Sequence, residues 1–192
     1  MKMNRAVLTA VVILVLAGAG WWMFRRGAAE RIDLLIRWDT AQKDGAGPYS
    51  LVDATLAGET KKAILAPPNG RIHFKVKVPE DGWLKVSLGM QPESWDKEGD
   101  GVYFFAGIGD GRSFEQLFTQ TVNPYKNPSE RRWIPVTVDL SAYAGEEMEI
   151  FLNTRATGPN APPGTPPMGD TRNDLPLWGA PEIVRRSRAG RN

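Results

Sequence analysis

Residues 71–78 alternate without a break. Ile72, Phe74, Val76 and Val78 form one row, and Arg71, His73, Lys75 and Lys77 form the other. A period of two over eight residues is the mark of a strand with one face buried and one face wet. Pro79 ends this run and Asp81-Gly82 turns the chain. Trp83–Leu88, with Leu84, Val86 and Leu88 in step, reads as the hairpin partner. Further strands are expected at Val102–Ile108, Ser113–Thr121, Trp133–Leu140, Glu149–Asn153 and Leu177–Val184, each bounded by Gly, Pro, Asn or Asp. With 20 glycines and 15 prolines in 192 residues, the chain is poorly suited to a helical bundle. Seven or so short strands separated by turns predict a two-sheet β-sandwich, large enough to bury a real core.

The residue inventory narrows the chemistry. There is no cysteine, which excludes disulfides, thiolate metal sites, a cysteine nucleophile and a lipidated N-terminal cysteine. A single histidine, His73, excludes multi-histidine metal centres. No nucleophile elbow, phosphate-cradling loop or zinc-hydrolase motif is present, so a non-enzymatic role without a cofactor is expected. The net charge of +2 hides an uneven distribution. Basic residues gather at the two ends, with Lys2, Arg5, Arg25, Arg26 and Arg31 at one and four arginines within 185–192 at the other. The body is acidic, the reverse of a nucleic-acid-binding fold, so nucleic acid is not expected as a partner.

Ala6 to Phe24 holds 19 residues without a charge, close to the roughly 20 that span a bilayer as a helix. A cleaved signal peptide would use Ala17-Gly18-Ala19 as its cleavage site. The apolar run continues beyond it, however, and Trp21, Trp22, Arg25 and Arg26 suit a membrane interface. The expectation is therefore an all-β domain preceded by one transmembrane α-helix. It divides into a short tail (1–5), the span (6–24), a juxtamembrane segment (25–48), the sandwich (49–184) and a basic tail (185–192). Within 25–48, Ile32–Ala41 has near-helical spacing, and an edge strand is the alternative there. Flanking charge alone leans towards a cytoplasmic domain, whereas the fold type leans towards export, so a bacterial inner-membrane protein with a periplasmic domain is expected. The stretch 157–173 carries five prolines and three glycines in 17 residues. It reads as a long loop able to lie on a neighbour.

Three strings carry a resemblance. Trp133 to Gly145 (WIPVTVDLSAYAG), Ile150 to Thr154 (IFLNT) and Trp178 to Ile183 (WGAPEI) follow one another in that order. This pattern resembles the bacterial jelly-roll domains that are similar to carbohydrate-binding modules and occur attached to sulfatases, glycosyltransferases and membrane proteins of unassigned role. Gly58-Glu59-Thr60, the Glu98–Val102 turn and Val122-Asn123-Pro124 fit the same pattern. The resemblance covers roughly 49–184 and implies a jelly-roll β-sandwich, while leaving the ligand open. Independently of it, Trp133 and Trp178 read as core, Gly145 as a corner residue of positive φ, and Tyr143 as an inward ring whose hydroxyl reaches a backbone group.

Candidate binding residues lie in polar loops. Trp95 and Tyr125 are the aromatic candidates, and Lys126, Arg131 and Arg132 are cations suited to a sulfated or acidic ligand. Pro162, Pro163, Pro166 and Pro167 are candidates for contact with a protein partner. Asp96, Glu98 and Asp100 form a weak calcium candidate, set against a solvated loop. Two functions follow. The leading expectation is a non-catalytic accessory or scaffolding subunit docking onto a larger membrane complex, for instance of respiratory or photosynthetic reaction-centre type, with lipid and other subunits as partners. The alternative is a membrane-anchored carbohydrate-binding module of the cell envelope, with a polysaccharide as partner.

Overall fold

The computed structural model describes residues 31–45, 47–156 and 169–185. Among these, eleven strands form two antiparallel sheets. In chain order they are β1 (Arg31–Asp33), β2 (Gln42–Asp44), β3 (Ser50–Leu56), β4 (Glu59–Leu65), β5 (Arg71–Lys77), β6 (Gly82–Met90), β7 (Val102–Gly109), β8 (Phe114–Val122), β9 (Ile134–Asp139), β10 (Glu147–Ala156) and β11 (Pro176–Arg185). Sheet A runs β3-β4-β11-β6-β9, with β1 paired beside β11, and sheet B runs β2-β5-β10-β7-β8.

The alternating rows close a core between the sheets. Ile72, Phe74 and Val76 of β5 face Leu84, Val86 and Leu88 of β6 within one buried cluster. Trp178 is fully buried at its centre, edge-on to Phe104 at 5.1 Å. A smaller cluster of Ala54, Leu56, Ala63, Trp133 and Leu177 lies on the other side of sheet A. Both tryptophans are thus core residues, as expected. Gly145 adopts φ +83 and donates its N–H to Val78 O, turning the corner before β10.

Several expectations are corrected. β5 and β6 are not a hairpin: β5 pairs with β2 and β10, and β6 with β11 and β9. The backbone groups of Val78 are taken by Gly145 and Glu146, so the Pro79–Asp81 link carries the chain across to the opposite sheet. The segment 25–48 contributes strands to the sandwich. β1 pairs with β11, a six-residue 3-10 helix spans Leu35–Thr40, and β2 pairs with β5. Among the described residues sheet pairing is already present at Arg31, ahead of Tyr49, and β11 includes Arg185. Tyr143 sends its hydroxyl to the Glu115 carboxylate at 2.5 Å, not to backbone, and this bond pushes its pKa up to about 12. No helix among the described residues is long and apolar enough to cross a membrane. The expected span 6–24, with Trp21, Trp22, Arg25 and Arg26, lies outside the described residues, as do Pro162, Pro163, Pro166 and Pro167.

Candidate functional site

The outward row of β5 continues across sheet B. The register sets His73 opposite Phe151 and Arg71 opposite Asn153, then Asn153 opposite Phe105 and Arg155 opposite Tyr103. Residues two apart on β10 share this face, so Glu147, Glu149, Phe151, Asn153 and Arg155 line a strip ~26 Å long at ~3.3 Å per residue.

A bulge decides what stands at its centre. The β7–β8 register shifts between Ala106 and Gly107. Before the shift Phe118 pairs with Ala106 and faces the core, its ring 6.2 Å from Trp178. After it Phe114 pairs with Gly109 and stands on the outer face. One extra residue in β8 thus sends two phenylalanines four apart to opposite faces. Phe114 is 52% exposed. Its ring meets Phe151 edge-on at 5.4 Å and Phe105 at 5.6 Å. It lies directly over Gly107, where a methyl group would run into it.

Polar groups flank the rings on both sides. His73 stacks on Phe151 at 5.0 Å, and its Nδ1 lies 2.9 Å from Glu149 Oε2. Beyond Glu149 a polar cavity of about 460 Å³ is bounded by Arg37, Lys75, Lys77, Asp110, Glu147 and Glu149. Arg37 is held there by donating to Lys75 O at 2.9 Å. Asp110 accepts from the N–H groups of Ser113 and Arg112 and from the Ser113 hydroxyl, which lowers its pKa to about 2 and keeps it ionised. At the other end Arg71 donates from Nε to Asn153 Oδ1 at 2.7 Å. Exposed ring, apolar patch and convergent hydrogen-bonding groups are the ingredients of a small-molecule or glycan site. A second cavity of similar size lies beside β1 and β3, lined by Leu35, Ile36, Leu51 and Val52 with a charged rim and no aromatic ring.

The residues singled out from sequence lie in loops at one end of the sandwich. Trp95 is partly buried and donates its indole N–H to Met90 O at 2.9 Å, so it is part of the loop's own packing. Arg131 donates to Pro124 O and Trp95 O and pairs with Asp96 at 2.9 Å, which ties two loops together. Tyr125 and Lys126 are exposed, and Arg132 bonds locally to Ser129 O. The calcium candidates do not converge. Asp96 turns to Arg131, Asp100 accepts the N–H of Asp170 at 3.2 Å, and Glu98 offers its backbone oxygen to Asn173. Among the described residues no group of three acidic or histidine side chains is placed to hold a metal ion. Asp174, 4% exposed, has a buried carboxylate oxygen without a hydrogen-bond partner. Burial, reinforced by the charges of Asp100 and Asp170, pushes its pKa up to about 7.

The sequence does not single out the aromatic strip, because Phe105, Phe114 and Phe151 belong to three strands that only the sheet pairing brings together. The one available signal was the wet row of β5, which marks the face but not its neighbours.

No protein-family profile matches the sequence. An uncharacterized protein of Archaeoglobus fulgidus is 37% identical over 110 residues, which is 57% of this chain and 25% of that protein. Solved structures show the fold. The chain is similar to the CBM51-2 and INT domains of Clostridium perfringens ZmpB, with TM-score 0.57 and 15% identity, over 81% of this chain and 32% of that one. It is also similar to the CBM51 of Clostridium perfringens GH95 in complex with methyl-galactose, with TM-score 0.52 and 14% identity, over 80% of this chain and 99% of that one. The described domain therefore has the jelly-roll sandwich architecture of carbohydrate-binding modules. The chain spans a minor part of both the archaeal relative and the ZmpB structure.

Proposed function

We propose that this chain is a carbohydrate-binding module whose ligand lies along the outer face of sheet B. The observation that carries this reading is the half-exposed Phe114, held over Gly107 and braced by Phe105 and Phe151 beside a polar cavity. A pyranose ring offers C–H surface to an aromatic ring, and its hydroxyls both donate and accept. Glu147, Glu149 and Asp110 supply acceptors, and Lys75, Lys77 and Arg37 supply donors, within the same cavity. The likeness to carbohydrate-binding modules supports the reading at the level of fold. In this proposal the domain binds without catalysis, and residues 6–24 anchor it to a membrane of the cell envelope. The expectation of a docking subunit finds no comparable support. Arg131, one of its charged candidates, is engaged in joining two loops, and its proline candidates lie outside the described residues.

The test is affinity electrophoresis of the full chain, in mild detergent, through gels loaded with single polysaccharides. Retardation by at least one polymer is expected, and Phe114→Ala should weaken it about tenfold or more, equivalent to ~1.4 kcal/mol. Retardation by none of a broad panel, or a Phe114→Ala variant that binds as well as the parent, overturns the reading.

A further inference from the structure

We propose that the ligand of this face is an acidic polysaccharide, its carboxylate or sulfate oxygens received between Arg71 and Arg155. The inference rests on the carbohydrate-binding reading and specifies its substrate class.

The two arginines are neighbours on the outer face. Arg71 of β5 sits opposite Asn153, and Arg155 lies two residues further along β10 on the same side. That diagonal relation places their Cα atoms ~7–8 Å apart, within reach of long side chains. Each guanidinium is laid over a ring. Arg71 Cζ is 5.8 Å from the Phe151 centroid, and Arg155 Cζ is 5.9 Å from that of Phe105. A cation–π contact at this distance draws each guanidinium towards its ring and leaves N–H groups available to bond. Arg71 commits only its Nε, to Asn153, and among the described residues neither arginine is ion-paired.

The acids of the face are engaged elsewhere. Asp44 lies 3.6 Å from His73 Nε2, and Glu149 lies beside His73 and Lys75. In the cavity half of the strip the charges match strand to strand, Lys75 opposite Glu149 and Lys77 opposite Glu147. In the Arg71–Arg155 half, Asp44 of β2 stands opposite Arg71 but forms no ion pair with it, and Arg155 faces Tyr103, so two fixed positive charges meet one acid. Two oxygens of a carboxylate or a sulfate accept two parallel bonds from a guanidinium, and the anion relieves the repulsion between two neighbouring cations. Tyr103 lies opposite Arg155 in the register.

The experiment compares three polymers on the full chain in mild detergent, at low and at high salt. They are polygalacturonate, a sulfated galactan and an unsubstituted galactan. At least one acidic polymer should bind about tenfold or more tighter than the neutral one, and the preference should shrink as salt screens it. The acidic polymer that binds tighter identifies the source of the oxyanion, and either identity supports the proposal. Arg155→Gln, which removes no hydrogen bond among the described residues, and the double variant Arg71→Gln/Arg155→Gln should bring acidic-polymer binding down to the neutral level. Equal binding of all three polymers, or an acidic preference untouched in both variants, overturns the proposal while the carbohydrate-binding reading stands. Binding of none of the three, with binding to another neutral glycan, also overturns it alone. Failure to bind any glycan overturns both.

Discussion

The outer faces of the two sheets use the same local device to opposite ends. On sheet A the Trp133 indole lies across Gly89 and Gly179, and an added Cβ at Gly179 would sit 2.6 Å from the ring. The β3–β4 hairpin closes over it, with Glu59 O accepting the indole N–H at 2.9 Å, and 4% of the tryptophan remains exposed. On sheet B Phe114 lies across Gly107, yet among the described residues nothing closes over it to the same degree and 52% is exposed. A glycine under an aromatic ring is thus not in itself a sign of a core or of a site. The outcome depends on whether a second layer of chain covers the ring. Covered, the ring becomes part of a second small core; uncovered, it is available to a ligand.

The contrast is testable by stability and binding together. Trp133→Ala should lower the unfolding free energy by about 3–5 kcal/mol, read by chemical denaturation, because it empties the cluster beneath the hairpin. Gly179→Ala should cost about 1–3 kcal/mol, since the buried indole has nowhere to move. A third test concerns β11, the strand that carries the covered face. Asp174 precedes it, and the folded protein holds that proton up to about pH 7 whereas the unfolded chain releases it near 3.8. Between those values the folded state binds more protons, so stability falls as pH rises from about 4 to 7 and is level above. Asp174→Asn should remove that slope and leave the variant more stable than the parent at pH 8, by on the order of 2 kcal/mol. The smallest stability change is expected for Gly107→Ala, under ~1 kcal/mol, because the exposed Phe114 ring can swing aside. The same variant should lose glycan binding. Equal stability losses at Gly107 and Gly179 would break the comparison.

Much of the sandwich was legible in the residues. Ile72, Phe74 and Val76 announce a buried row through spacing alone, and Trp133 and Trp178 are large enough that a strand setting places them inside. What could not be read is pairing across long separations. His73 meets Phe151 and Arg71 meets Asn153 only because β5 and β10 are neighbours, and nothing local to either strand says so. The assumed β5–β6 hairpin failed for the same reason: both strands have a buried row, and such rows serve equally well side by side or face to face. Phe114 was hidden by a single unpaired position in β8, which reverses the sense of inside and outside partway along the strand. Trp95 and Arg131 misled in the opposite direction. Polar loops made them look available, whereas Met90 O, Pro124 O and Asp96 occupy their bonding groups.

Arg31 faces Val184 across the β1–β11 ladder, so the described domain is entered and left at one doorway. A unit closed in that manner can be grafted into a loop of a larger polypeptide, or have its ends fused and be reopened at another turn, with little disturbance to its interior. The doorway belongs to sheet A, so any host chain is spliced in through the sheet that does not present the bare phenylalanine.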